Sequence, residues 1–111
     1  MRKLYIVKNE REFDNIIRTG KCIKNKSFII YYILNNKPYN RYGVSVGKKL
    51  GNAVYRNKYK RKIRAIIDNS QKNYVNPKDY IIILRGHTKD YSYNELAEDF
   101  NKLMNSLGKD I

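Results

Sequence analysis

Tryptophan is absent from this sequence, and cysteine and histidine occur once each, as Cys22 and His87. A lone cysteine cannot close an intramolecular disulfide, so no oxidising compartment is implied, and Cys22 reads as a small apolar side chain. With no Cys/His cluster there is no ligand set for a structural zinc. One imidazole, in the loop RGHTKD, lacks a second acid–base partner. Neither a phosphate-cradling glycine loop nor a Ser-His-Asp set occurs. No side chain is therefore assigned as catalytic, and none as a metal ligand. Long apolar runs are missing too. The opening MRKLYIVKNERE has only Leu4 to Val7, too short for a signal-peptide core or a membrane span, so a cytoplasmic chain without membrane contact is expected.

Acidic residues are the scarcest resource. Ten Asp and Glu stand against 24 Lys and Arg, a formal net charge of +14 on 111 residues. Between Asp14 and Asp68 there is no acid at all. Self-repulsion of this size calls for a polyanion to neutralise it, and nucleic acid is the expected partner; mere solubility needs far less charge. The length and the 41% hydrophobic content suit a single domain, 1–111, with its own core.

Local signals divide the chain. Asn9 with Glu12 resembles a capping pair, and Phe13, Ile16 and Ile17 share one helical face, so a helix is predicted over 10–19, with Gly20 as a left-handed stop. SFIIYYIL, 27–34, reads as a strand apolar on both sides. RYGVSV, 41–46, alternates as a second strand, expected to pair antiparallel with the first after the turn-rich NNKPYN. Asn52 caps a helix reaching Asp68. DYIIILR, 79–85, reads as a buried strand, and Ser92 with Glu95 forms a capping box that opens a last helix burying Leu96, Phe100, Leu103, Met104 and Leu107. No repeat, linker or low-complexity tract interrupts this order, which indicates an α+β fold with one sheet packed by helices.

The central helix carries the charge. In GNAVYRNKYKRKIRAII the nine positions from Arg56 to Arg64 hold six Lys and Arg. At 100° per residue, Tyr55, Tyr59, Ile63, Ile66 and Ile67 form the expected core stripe. Arg56, Lys60 and Arg64 follow one another on an adjoining face, joined by Asn57 and Arg61, while Lys58 and Lys62 lie on the opposite flank. Solvated helix faces usually interleave Glu with Lys, and this one does not. Arginine forks, lysine point charges and asparagine amides suit phosphates and 2′-hydroxyls. Lys48 and Lys49 extend the positive surface to the helix N-terminus, near the capping Asn52.

The run RYGVSVGKKLGNAVYRNKYKRKIRAI closely resembles the signature of the bacterial ribonuclease P protein subunit, R-x-G-x-S-V-x-K-K-x-G-x-A-V-x-R-N-x-x-K-R-x-x-R. The likeness extends to Phe13 before Gly20, the aromatic strand, DYIIILR and the capped last helix. Ile17 departs from an aromatic common at its position, and Tyr42 from a smaller aliphatic. The resemblance implies an endoribonuclease subunit that binds a catalytic RNA and helps it remove the 5′ leader of precursor tRNA, giving the mature 5′ end. It implies that the RNA performs the chemistry and holds most of the Mg2+, with no organic cofactor and no obligate protein partner. It also implies an α-β-β-β-α-β-α order with a left-handed βαβ crossover, against the usual hand, and a first short strand near Cys22 to Lys24, which the local signals leave as loop.

Two surfaces are expected from this likeness. Lys48, Lys49, Asn52, Arg56, Asn57, Lys60, Arg61 and Arg64 would take the catalytic RNA and its phosphates. Phe13, Ile17, Ile29, Tyr31 and Ser45 would line a cleft for the leader, with Lys60, Arg61 and Arg64 reaching phosphates at its edge; Phe13 and Ile29 read equally well as plain core. Two other readings stay open: a structural, ribosomal-type RNA-binding protein, and a protein ribonuclease using His87.

Overall fold

A computed structural model describes residues 2–70 and 76–108. The elements in chain order are α1 (Glu10–Thr19), β1 (Lys21–Lys24), β2 (Phe28–Leu34), β3 (Arg41–Val46), α2 (Ala53–Asn69), β4 (Lys78–Leu84) and α3 (Tyr93–Gly108). This is an α+β domain in the expected order. The caps are where the sequence places them. Asn9 Oδ1 accepts from the N–H groups of Arg11 and Glu12, and Asn52 Oδ1 from those of Val54 and Tyr55. The amide of Glu95 donates to Ser92 Oγ at 3.1 Å.

The four strands lie in the order β1-β2-β4-β3. Here the fold departs from the expected hairpin: β3 does not pair with β2 but runs parallel to β4, which sits between them. The reason lies in β4 and in the connection. Tyr80, Ile82 and Leu84 project to one side of β4 and Ile81 and Ile83 to the other, so a position covered on both faces shelters both sets, Ile83 only in part. The segment after β2 is stitched to the start of β4 instead of turning back. Asn35 N–H donates to the Pro77 carbonyl at 3.0 Å and Asn40 Oδ1 accepts from Lys78 N–H at 2.9 Å. β3, α2 and β4 thus form the parallel crossover unit to which the expectation of handedness refers. β1, which local signals leave as loop, pairs antiparallel with β2 across a turn held by Asn25 Oδ1, which accepts from Ser27 and Phe28 N–H.

α2 and α3 cover one face of the sheet. Tyr59, Ile63, Ile66 and Ile67 of α2 and Leu96, Phe100, Leu103 and Leu107 of α3 are buried there with Phe28, Ile30, Tyr80 and Ile82. Asp99 of α3 ties this layer to the β1–β2 turn, because its carboxylate accepts from Ser27 Oγ and its carbonyl from Asn25 Nδ2. The other face carries α1 and, among the described residues, Val7 of the segment before it. Ile16 is buried with Val7 and Ile81, and Phe13 and Ile17 pack beside them. Gly20 ends α1 with φ −76° and ψ 165°, an extended and not a left-handed stop. Glycine is needed for space, since a Cβ there would sit 2.4 Å from the Ile16 carbonyl oxygen and 2.8 Å from that of Tyr32.

One ion network fastens the helix to the sheet. Arg41 Nε and Nη2 donate to the two carboxylate oxygens of Asp79, at 2.9 and 2.6 Å, and Nη2 also reaches Glu12 of α1. The Arg41 side chain is 14% exposed and that of Asp79 6%, so each is an expensive charge without the other. Asn35 Nδ2 adds a third donor to Asp79 at 2.8 Å. Replacing Arg41 by Ala is expected to cost about 3 kcal/mol of folding stability, because it strands a buried carboxylate that Asn35 only partly satisfies. Chemical denaturation reads this loss directly; a cost under about 1 kcal/mol would mean that the network is an ordinary surface pair.

Candidate nucleic-acid interface

Two regions hold the expected site residues, and they lie on opposite faces of the sheet. The first is floored by the strands beneath α1. Strand register aligns Lys24, Ile29, Ile83 and Ser45 in one row across the four strands, about 14 Å long at the usual strand spacing, and Cys22, Tyr31, Ile81 and Gly43 in the next. α1 crosses only part of this face. Its N-terminal half lies over β3, where Phe13 sits on Gly43, and its end reaches the Tyr32 carbonyl of β2. The row from Lys24 to Ser45 is left less covered. Ile29, Tyr31, Ser45 and Ile83 are each half-buried, and Ile29 stands outside the buried cluster under α1.

Phe13, Ile17 and Tyr31 pack at the margin of that cluster. The structure thus brings Phe13, Ile17, Ile29, Tyr31 and Ser45 to one face, as a shallow apolar groove with a hydroxyl at one end of its floor and the Lys24 ammonium at the other. Ile83 belongs to the same floor and was hidden in the sequence, where the run IIIL conceals which residues alternate outward. Gly43 is the other member that sequence reasoning passed over. A Cβ at this position would lie 2.8 Å from both Phe13 Cε2 and Ile81 Cδ1.

The second region is α2 and the turn before it. Leu50 is fully buried and anchors the Lys48–Leu50 turn, so Lys48 and Lys49 are presented outward. Gly51 follows with φ 123°, a conformation that favours glycine, and hands the chain to Asn52. Along the helix Asn57 and Arg61 are exposed, and Arg56, Lys60 and Arg64 are half-buried with their stems along the protein. The Asn52 side-chain oxygen is committed to the helix cap. Arg56 Nε is buried and, among the described residues, has no hydrogen-bond partner.

The ion pairs among the described residues are Lys26–Asp99, Arg41 with Glu12 and Asp79, and Lys102–Glu98. None draws on a cation of α2. Tyr55 differs from expectation: it is 50% exposed, and burial on this helix begins one turn later, at Tyr59. The first turn of α2 precedes the part that rests on the sheet. The buried stripe of α2 rests on the face of the sheet opposite α1. β3 is the element common to both, with Ser45 facing the groove and Val44 and Val46 facing the α2 side.

Gly43→Ala tests the seat of α1. The added methyl overpacks Phe13 and Ile81, and a loss of about 1–3 kcal/mol in unfolding free energy is expected. An unchanged denaturation midpoint would show that Phe13 does not rest on β3.

Comparison with known proteins places the chain in a family. The family model described as Ribonuclease P matches residues 1–108. A ribonuclease P protein component of Mesoplasma florum is 43% identical over 107 residues, covering 94% of this chain and 96% of that protein. One of Acholeplasma laidlawii is 37% identical over 105 residues, covering 94% and 90%. Among solved structures, a Staphylococcus aureus RNase P protein, in a mutant described as having defective mRNA degradation activity, superposes with a TM-score of 0.85 at 34% identity, covering 96% of this chain and 90% of that one.

Proposed function

We propose a function from one premise, that this chain belongs to the ribonuclease P protein family: it binds the catalytic RNA of a ribonuclease P ribonucleoprotein and helps that RNA remove the 5′ leader of precursor tRNA. The observation that carries this reading is the α2 surface, where six cations in nine positions are held by a sealed apolar stripe and, among the described residues, pair with no carboxylate. Lys48, Lys49, Asn52, Arg56, Asn57, Lys60, Arg61 and Arg64 are its contacts to RNA phosphates and 2′-hydroxyls. Arg56 can swing to a phosphate without breaking a hydrogen bond at Nε, since that atom has none to lose among the described residues.

The groove of Phe13, Ile17, Ile29, Tyr31 and Ser45, extended by Ile83, takes the single-stranded leader. Apolar and aromatic walls stack on any base, which suits leaders of varied sequence. The Mg2+ ions belong to the RNA in this proposal. Among the described residues no group of three or more His, Cys, Asp or Glu is arranged to hold a metal ion. No helix among the described residues is long and apolar enough to cross a membrane.

Reconstitution tests the assignment. Purified protein should leave precursor tRNA intact yet restore cleavage at low magnesium when added to a bacterial ribonuclease P RNA. Cleavage without that RNA would favour a protein-borne nuclease, a possibility given substance by the mRNA degradation activity named for the Staphylococcus aureus relative. No effect with the RNA would favour a ribosomal-type structural role.

Binding energetics test the two surfaces. If about six phosphates are neutralised, log affinity should fall with log salt at a slope of roughly 4 to 5. Replacing Arg56, Lys60 and Arg64 together by Ala should weaken binding and flatten that slope by about 2 to 3. Tyr31→Ala should narrow the preference for leader-bearing precursor over mature tRNA by about 5- to 100-fold. An unchanged ratio would remove the leader from this groove.

A further inference from the structure

Among the described residues four large apolar side chains stand exposed, Leu4, Leu34, Val54 and Tyr55, and two of them are neighbours in the first turn of the most cationic helix. Val54 is 74% exposed and Tyr55 50%. Exposing a tyrosine ring and an adjacent valine forgoes burial that the same residues would gain elsewhere. Tyr55 is not in ring contact with any other aromatic among the described residues. Its backbone is firmly placed, because its N–H donates to the capping Asn52 Oδ1 at 3.2 Å. Gly51 packs against its Cβ, where a Cβ on that glycine would come within 3.0 Å.

The ring has cations along its own flank. Lys58 and Lys62 follow Tyr55 at i+3 and i+7, one face of the helix. Lys58 is exposed, and Lys62 Nζ lies over the ring of Tyr59, 5.3 Å from its centroid, which keeps that ammonium close to the Tyr55 side of the helix. Tyr59 in turn donates its hydroxyl to the Lys89 carbonyl, bringing the loop after β4 to this flank. Asp90 in that loop is the acid near Tyr59; α2 itself offers no other until Asp68. This flank lies across the helix from Arg56, Lys60 and Arg64.

We infer that Tyr55 is a stacking platform for an unpaired base of the bound RNA, with Lys58 and Lys62 taking the phosphates beside it, so that α2 is gripped by RNA on both flanks. An exposed planar ring beside point charges is the arrangement that single-stranded nucleic acid recognises, and it tolerates any base. A peptide or lipid would draw on an apolar area larger than one ring and one valine. The inference rests on the RNA-binding role proposed above, and it adds a surface that the signature residues do not include.

The test uses the full chain and a transcribed bacterial ribonuclease P RNA, with affinity measured over a range of salt. Tyr55→Ala should weaken binding by about 5- to 150-fold and leave the salt slope unchanged, since a neutral ring displaces no counterion. Tyr55→Phe should bind like the parent. Lys58→Ala with Lys62→Ala should lower the slope by about 1.5. Because the chain has no tryptophan, Tyr55→Trp provides a single tryptophan, excited selectively beyond the tyrosine absorption band, whose fluorescence should be quenched as RNA is added. Equal losses for Tyr55→Phe and Tyr55→Ala would overturn stacking in favour of a hydroxyl contact. If Tyr55→Ala binds like the parent while the Arg56, Lys60 and Arg64 triple variant is weakened, this inference fails and the RNA-binding role stands. If neither variant weakens binding, both fall.

Discussion

Six like charges on α2 repel one another, and the molecule is organised around holding them together. Arg56–Lys60, Lys60–Arg64 and Lys58–Lys62 are i,i+4 neighbours, and Lys58–Arg61 and Arg61–Arg64 are i,i+3 neighbours. At about 0.2–0.5 kcal/mol each, these pairs cost roughly 1–2.5 kcal/mol. Against this, burying Ile63, Ile66 and Ile67 contributes roughly 5–9 kcal/mol. The apolar stripe wins, and the cations are distributed over the two flanks and the outer side of the helix. A free chain carries this repulsion; a polyanion relieves it. The fold therefore stores a modest electrostatic penalty in the place where the proposed RNA would discharge it.

The sheet gives that helix its seat and gives the opposite face a different task. β4 is apolar on both sides and takes the centre, which sends β3, with its glycine and serine, to the edge. One face is then sealed by two long helices, and the other is crossed by the shorter α1 alone. The uncovered row between Lys24 and Ser45 follows from this mismatch in coverage. In the proposed ribonucleoprotein the two faces divide the work, with folded RNA against α2 and a single strand beside α1.

Much of this was legible locally. Caps at Asn9, Asn52 and Ser92 are written in residues two to three positions apart, and the stripe of Tyr59, Ile63, Ile66 and Ile67 in helical spacing. The signature around Arg41 to Ile67 carried the family. What escaped depends on partners distant in the chain. The β3–β4 pairing joins residues 38 positions apart, and no alternation within RYGVSV says which neighbour it will choose. Tyr55 fits the core stripe by angle but precedes the sheet, so angle alone misplaces it. Gly20 looked like a conformational stop and proved to be a spacing residue against the β2 backbone. Ile83 and Gly43 matter through strand register, which appears only once the sheet is assembled.

α1 has the thinner apolar seat, supplemented by the contact of Glu12 with Arg41. Among the described residues three buried side chains, Val7, Ile16 and Ile81, secure its layer, where sixteen secure the other. Its amides are expected to exchange with solvent before those of the sheet or α2. In the proposed ribonucleoprotein, a lightly seated α1 would let strands of different bulk share the groove beside it without any change in the rigid body that carries it.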